Sequence, residues 1–139
     1  MSEASVKMTI HAPADAVWKT ISEFGRLERF IPAIASCRVE GSGVGATRTL
    51  AMQDGVPVTE RLEALRDEDR TLQYSILEST LPFDGYLATM RVRVVDDSTC
   101  EVQWSATFEP SGIPEAEAIA MLEGLYRGGI EGLEKLCGN

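Results

Sequence analysis

The sequence predicts an α+β fold: a seven-stranded curved antiparallel sheet wrapped around a long C-terminal helix, with two short helices after the first strand. Three observations carry this. Residues 86–94 and 102–108 are long regular alternators, with Tyr86, Ala88, Met90, Val92 and Val94 on one side, then Val102, Trp104, Ala106 and Phe108. That is the period of strands with one buried face. Residues 115–136 place Ala118, Met121, Leu122, Leu125, Tyr126, Gly129, Leu133 and Leu136 within one helical face, with Pro114 at the start. Between the short helices and this long one, the chain is strand and turn. A sheet with one apolar face must cover it, and only the C-terminal helix is long enough, so the sheet is expected to curl around that helix.

The elements follow in order. SVKMTIH (residues 5–11) alternates Val6, Met8 and Ile10 against Lys7, Thr9 and His11 and reads as a half-buried strand. In APADAVWKTISEF, Pro13 suits a first helical turn, Asp15 suits the positive helix end, and Val17, Trp18, Ile21 and Phe24 form one stripe. Gly25 is the expected stop. GRLERFIP is a second helical piece that ends before Pro32, because the residue preceding a proline is pushed out of helical geometry. IASCRVEG, TRTLAM, VTERLEAL, RTLQYSIL, YLATMRVRVV and CEVQWSATFEP are strands, separated by GSGVGA, a turn at Asp54 and Gly55, RDED, LPFDG and DDS.

At 139 residues the chain is expected to form one domain, residues 1–139. No apolar run approaches the roughly 18 residues of a transmembrane helix, and MSEASVKMTIHA lacks a basic start followed by an apolar stretch, so neither membrane insertion nor export is expected and the location reads as cytoplasmic. A net charge of −9, with only 13 scattered basic residues, disfavours nucleic acid as a partner. Cys37, Cys100 and Cys137 are odd in number and share no CxxC spacing, so they read as reduced thiols and not as a disulfide framework or zinc site. No metal or other cofactor is expected.

A bent sheet closed by a helix of limited width can enclose a space, and such spaces hold small apolar ligands. In the hairpin TRTLAMQDGVPVTER, alternation puts Arg48, Leu50 and Met52 on the same face as Val58, Glu60 and Leu62. A three-residue loop at Asp54 and Gly55 would set Leu50 opposite Glu60, with Arg48 a diagonal neighbour. Arg48 and Glu60 are read as polar anchors for a ligand, donor and acceptor respectively. The competing reading is a pair satisfied by itself and by water. Tyr74, Ile76, Tyr86, Ala88, Met90, Trp104, Ala106, Phe108, Leu125 and Tyr126 fall on inward faces and complete the candidate wall, together with Met121. Gly129, in mid-face of the helix, either opens space or admits close packing of helix on sheet. Phe83 and Leu81 stand at a loop tip, as a lid or as plain packing. Gly124, Gly128 and Gly132 lie along a second flank, which leaves a homodimer open. His11, the only histidine, has outward parity and no catalytic neighbour at a recognisable spacing.

The opening VKMTIHAPADAVWKTISEF, the GSGVGATRTL turn and strand, ERLEALRDEDRTLQYSI, LPFDGYLATMRV and the helix ending in LYRGGIEGLEKL together resemble the START-like (Bet v 1-like, SRPBCC) superfamily, in particular its polyketide cyclase/dehydrase-like members. The resemblance implies the helix-grip fold across the whole chain. It implies function less narrowly, since related folds carry lipids, sense hormones or cyclise polyketides. Three functions are therefore carried forward. The first is binding of a small hydrophobic molecule, of lipid or polyketide/aromatic type, in the cavity. The second is a cyclase or dehydratase using Glu60 as base, with Arg48 or Tyr86 stabilising an enolate. The third is a non-catalytic interaction module.

Overall fold

The computed structural model describes residues 1–138; Asn139, the last residue of the expected domain, lies outside them. The elements are β1 (Ser2–Ile10), α1 (Ala14–Ser22), a 3-10 turn (Leu27–Arg29), β2 (Ile34–Glu40), β3 (Thr47–Met52), β4 (Pro57–Arg66), β5 (Thr71–Ser79), β6 (Phe83–Asp96), β7 (Thr99–Pro110) and α2 (Glu115–Cys137). The strands form one antiparallel sheet in the order β1-β7-β6-β5-β4-β3-β2. This is the expected helix-grip architecture. β1 joins β7 across the sheet instead of its neighbour in sequence, and the inward side chains of the strands and of α2 merge into one buried apolar cluster.

Alternation sets which side of each strand is covered. Along β7, Cys100, Val102, Trp104, Ala106 and Phe108 are all buried. On β6 the alternation holds through Val92, but Val94 is half exposed, because the strand runs past the cover of the helices. Leu122, Tyr126, Gly129, Ile130 and Leu133 form the buried face of α2, while Met121 and Leu136 point to solvent. The true face is rotated from the predicted one: a stripe drawn through both Met121 and Leu125 is wider than the contact the sheet makes.

Edge strand β1 is closed by α2. Ser2 Oγ donates to Glu115 Oε2 at 2.5 Å, the Ser5 N–H to Glu123 Oε2 at 3.5 Å and the His11 N–H to Glu134 Oε2 at 2.7 Å. Glutamates of one helix thus occupy two backbone donors, those of Ser5 and His11, along an edge that would otherwise be open to pairing, and a third holds the Ser2 hydroxyl.

Two local expectations change. The helix stop is not carried by glycine conformation: Phe24 (φ 61°) and Arg26 (φ 59°) adopt the left-handed region, and Gly25 between them serves space, since a Cβ there would lie 2.9 Å from Val39 Cγ2. The LPFDG loop is shorter than predicted, because Phe83 and Asp84 already pair with Pro110 and Glu109, with a register shift before Leu87 around Gly85 at φ 59°.

The three cysteines are free. Cys100 is fully buried, and burial, reinforced by neighbouring Cys137, pushes its thiol up to about 11. Cys100 is therefore expected to resist a thiol reagent at mildly alkaline pH until the protein unfolds, while half-buried Cys37 reacts in the folded state. Labelling with mass detection before and after urea checks this, and rapid native labelling of Cys100 would contradict it.

Candidate functional site

The hairpin of β3 and β4 places two charges inside. Its loop, residues 53–55, is closed by the Met52 N–H donating to the Val56 carbonyl at 3.0 Å and the Gly55 N–H to the Met52 carbonyl at 2.8 Å. The loop has the expected three residues but is centred on Asp54, one residue earlier than the expected register requires, so Arg48 stands directly opposite Glu60, and Leu50 opposite Val58. Arg48 Nε donates to Glu60 Oε1 at 2.7 Å, and the two residues are only 3% and 6% exposed. A second guanidinium nitrogen of Arg48 donates to the Phe24 carbonyl at 3.0 Å. The guanidinium carbon also sits 4.0 Å from the centre of the Phe24 ring and 4.7 Å from that of Tyr74. Stacking of this kind suits a weakly hydrated planar cation. The left-handed turn at Phe24 thus supplies both a ring and a carbonyl to Arg48.

Beside the pair lies an aromatic cluster joined by hydrogen bonds. Trp104 Nε1 donates to Tyr74 OH at 3.1 Å, Tyr74 OH lies 3.2 Å from Tyr86 OH, and Tyr86 OH meets Tyr126 OH in a short contact. Tyr126 stacks on Trp104 with ring centres 4.4 Å apart. Burial holds all three phenols protonated well above the ordinary tyrosine range. Burial also raises the Glu60 carboxyl, outweighing the opposing charge and hydrogen bond of Arg48.

Between sheet and α2 is a partly open cavity of about 50 Å³. Leu50, Met52, Val58 and Glu60 of the hairpin form one wall, with Tyr74 and Ile76 of β5 beside them. Leu81, Phe83, Tyr86 and Trp104 form another, and Leu27, Ile31, Ile34, Leu122 and Leu125 close it. Met52, Ile76, Leu81 and Leu125 are only half buried and ring the side nearest solvent. Phe83 is fixed by an edge-on contact with Phe108, ring centres 5.5 Å apart.

The match to known proteins is broad. Residues 1–138 match the family model described as polyketide cyclase / dehydrase and lipid transport. The chain belongs to that family. The solved structure of the protein XoxI from Bacillus cereus is 33% identical with a TM-score of 0.91, covering 99% of this chain and 96% of that one. An abscisic acid receptor of Arabidopsis thaliana is 26% identical over 132 residues, which cover 89% of this chain but only 63% of that protein, so the chain spans less than two thirds of its length. The ZhuI aromatase/cyclase from Streptomyces has a TM-score of 0.79 at 18% identity, covering 97% of this chain and 92% of that one, a likeness of fold alone.

For this family member the cavity wall differs from the wall expected from the sequence. Leu50, Met52, Glu60, Tyr74, Ile76, Phe83, Tyr86, Trp104 and Leu125 are on it. Arg48 is not: its guanidinium lies over the Phe24 and Tyr74 rings and bonds Glu60 and the Phe24 carbonyl, so in this structure it stands as the partner of Glu60 behind the wall. Leu62, Ala88, Met90, Ala106, Phe108 and Tyr126 face inward but pack in filled core, and Met121 faces out. Gly129 opens no space: a Cβ there would lie 2.7 Å from Trp104 Cζ3 and 3.4 Å from Ile31 Cγ1, so the glycine admits close packing. Inward parity identifies a face, whereas the level at which α2 and the 3-10 turn fill that face is a tertiary fact. Leu27, Ile31, Ile34, Val58, Leu81 and Leu122 were missed as wall residues. The four-residue spacing of Leu27 and Ile31 in GRLERFIP was the available signal.

Proposed function

We propose that the protein binds a small, largely apolar molecule carrying one polar group in the cavity between sheet and α2. The observation that carries this reading is a buried carboxyl on the wall of an otherwise apolar and aromatic cavity. Taking Glu60 and Arg48 out of water costs several kcal/mol that a purely structural core would avoid with apolar residues of similar volume, whereas ligand sites use a few placed polar groups for orientation. Family membership and the abscisic acid receptor relatives support small-molecule binding. A cavity of about 50 Å³ is well below the roughly 300–1,000 Å³ of ligand pockets, so binding requires the wall to give. The half-buried ring of Met52, Ile76, Leu81 and Leu125 is where it gives most cheaply, with residues 80–82 acting as the lid.

The cyclase or dehydratase reading has one observation in favour. Burial moves the Glu60 carboxyl up toward the range where a general base works best. Against it, the Arg48 bond occupies one carboxyl oxygen at 2.7 Å, and Arg48 is not placed to meet an enolate. Binding is therefore the reading we adopt.

Leu125→Trp tests it by placing a large ring at the half-buried mouth. The apolar fluorophore N-phenylnaphthylamine is expected to bind the wild-type protein in a saturable manner and to bind the variant at least about tenfold more weakly, with stability changed by no more than ~1 kcal/mol. Equal binding by both proteins, or none by the wild type, counts against a ligand site here and favours an interaction module.

A further inference from the structure

The polar group of the ligand is constrained by a proton count in the tyrosine cluster. The hydroxyls of Tyr74, Tyr86 and Tyr126 bring three protons, and the two contacts that join them use two. Trp104 Nε1 is itself a donor to Tyr74 OH, so it absorbs none. One hydroxyl proton is left over whichever way the bonds point, and no further hydrogen bond of these hydroxyls exists among the described residues.

Where that proton sits follows from burial. If Tyr74 donates to Tyr86 and Tyr86 to Tyr126, the surplus proton is on Tyr126, which has no exposure, stacks on Trp104 and does not reach the cavity wall. A donor stranded there loses its solvation without return. If Tyr126 donates to Tyr86 instead, the surplus proton belongs to Tyr86 or Tyr74, and both stand on the cavity wall. The second arrangement avoids the stranded donor. The surplus O–H then belongs to a residue of the cavity wall, where solvent or a ligand would supply the acceptor that the chain does not.

We propose that the cavity selects a ligand whose polar group is a neutral hydrogen-bond acceptor of the ketone type, which takes the one hydroxyl proton left over by Tyr74, Tyr86 and Tyr126. The proposal rests on the binding reading above. A donor-only group would be left to the second oxygen of Glu60 and would leave the surplus hydroxyl proton without an acceptor. A carboxylate would meet the carboxyl of Glu60 on the same wall, with the Arg48 charge already committed to Glu60. A carbonyl satisfies the hydroxyl and adds neither charge nor proton.

Indane, indanone and indole test this, since they share one bicyclic shape and carry no polar group, an acceptor only and a donor only. Titrated into the wild-type protein by calorimetry or NMR, indanone is expected to bind about tenfold more tightly than indane and more tightly than indole. The carbonyl stretch of bound indanone is expected at lower frequency than in an apolar solvent, and this shift disappears in the Tyr74→Phe, Tyr86→Phe double variant while indane binding persists. Should the double variant not fold, the wild-type affinity order and the stretch decide the matter alone. Equal binding of all three probes, or an unshifted carbonyl, overturns the acceptor proposal and leaves a ligand site standing. Binding of none removes the ligand reading itself, and the acceptor proposal with it.

Discussion

Arg48→Met is expected to destabilise the protein by about 3–5 kcal/mol at neutral pH, the cost of leaving a buried charge without its partner. Glu60 would keep its 6% exposure and lose the 2.7 Å bond that offsets its burial. The loss should depend on pH with a definite sign. In the wild-type protein the Glu60 carboxyl is already raised by burial, and Arg48 is what opposes the rise. Without Arg48 the folded-state value moves further up while the unfolded-state value stays ordinary. A carboxyl raised on folding contributes stability that is fully present below its unfolded pKa and is lost as pH rises through the folded one. The deficit of Arg48→Met is therefore smallest in mild acid, near the ordinary carboxylate range, and largest above the raised value. Carboxylates nearer the surface such as Glu63, which is lowered by Ser75 and Arg61, titrate with the opposite sign but alike in both proteins, so they cancel in the difference. Adding Glu60→Leu to Arg48→Met should recover most of the loss, because an apolar pair of similar volume pays no desolvation. Urea denaturation of the three proteins at pH 5 and pH 8 is the measurement. A deficit below about 1 kcal/mol, equal at both pH values, would mean that water reaches Glu60 and that the pair is not dry.

Gly132→Ala is the second large effect, expected to cost about 2–3 kcal/mol, and α2 carries its own controls. A Cβ at Gly132 would collide with the backbone carbonyl of Phe30, which cannot rotate away as a side chain can. Gly129→Ala presses on Trp104, whose ring is held by its stacking on Tyr126 and its bond to Tyr74, and should cost about 1–3 kcal/mol. At Gly124 and Gly128 nothing lies within 4 Å of an added Cβ, so alanine should stabilise by up to ~1 kcal/mol through helix propensity alone. Thermal or urea unfolding of the four single variants should therefore split into two that lose stability and two that gain it. Uniform gains would show that α2 sits further from the 3-10 turn and sheet than described.

This split bears on how Gly124, Gly128 and Gly132 read in the sequence. Their spacing of four suggested a common surface for a second chain. In the fold Gly132 belongs to an internal contact with Phe30, while Gly124 and Gly128 face open space, so one spacing covers two different environments. The same holds at Phe24. Gly25 looked like the conformational stop of α1, yet the left-handed residues flank it, and one of them builds the Arg48 site.

Alternation along β6 and β7, the apolar stripe of α2 and the turn residues between strands were enough to determine the number of strands, their antiparallel pairing, the covering helix and the burial of Arg48 and Glu60. These are properties of period and polarity, local in the chain and imposed by the geometry of strand and helix. The tertiary structure alone decided that Arg48 stands opposite Glu60 and behind the wall, that Gly129 closes space instead of opening it, that three tyrosines and Trp104 share one hydrogen-bonded cluster, and that only about 50 Å³ remains beside them. Each depends on turn position, helix height or rotamers summed over residues far apart in the chain, where a shift of one residue or a few tenths of an ångström changes which atoms meet.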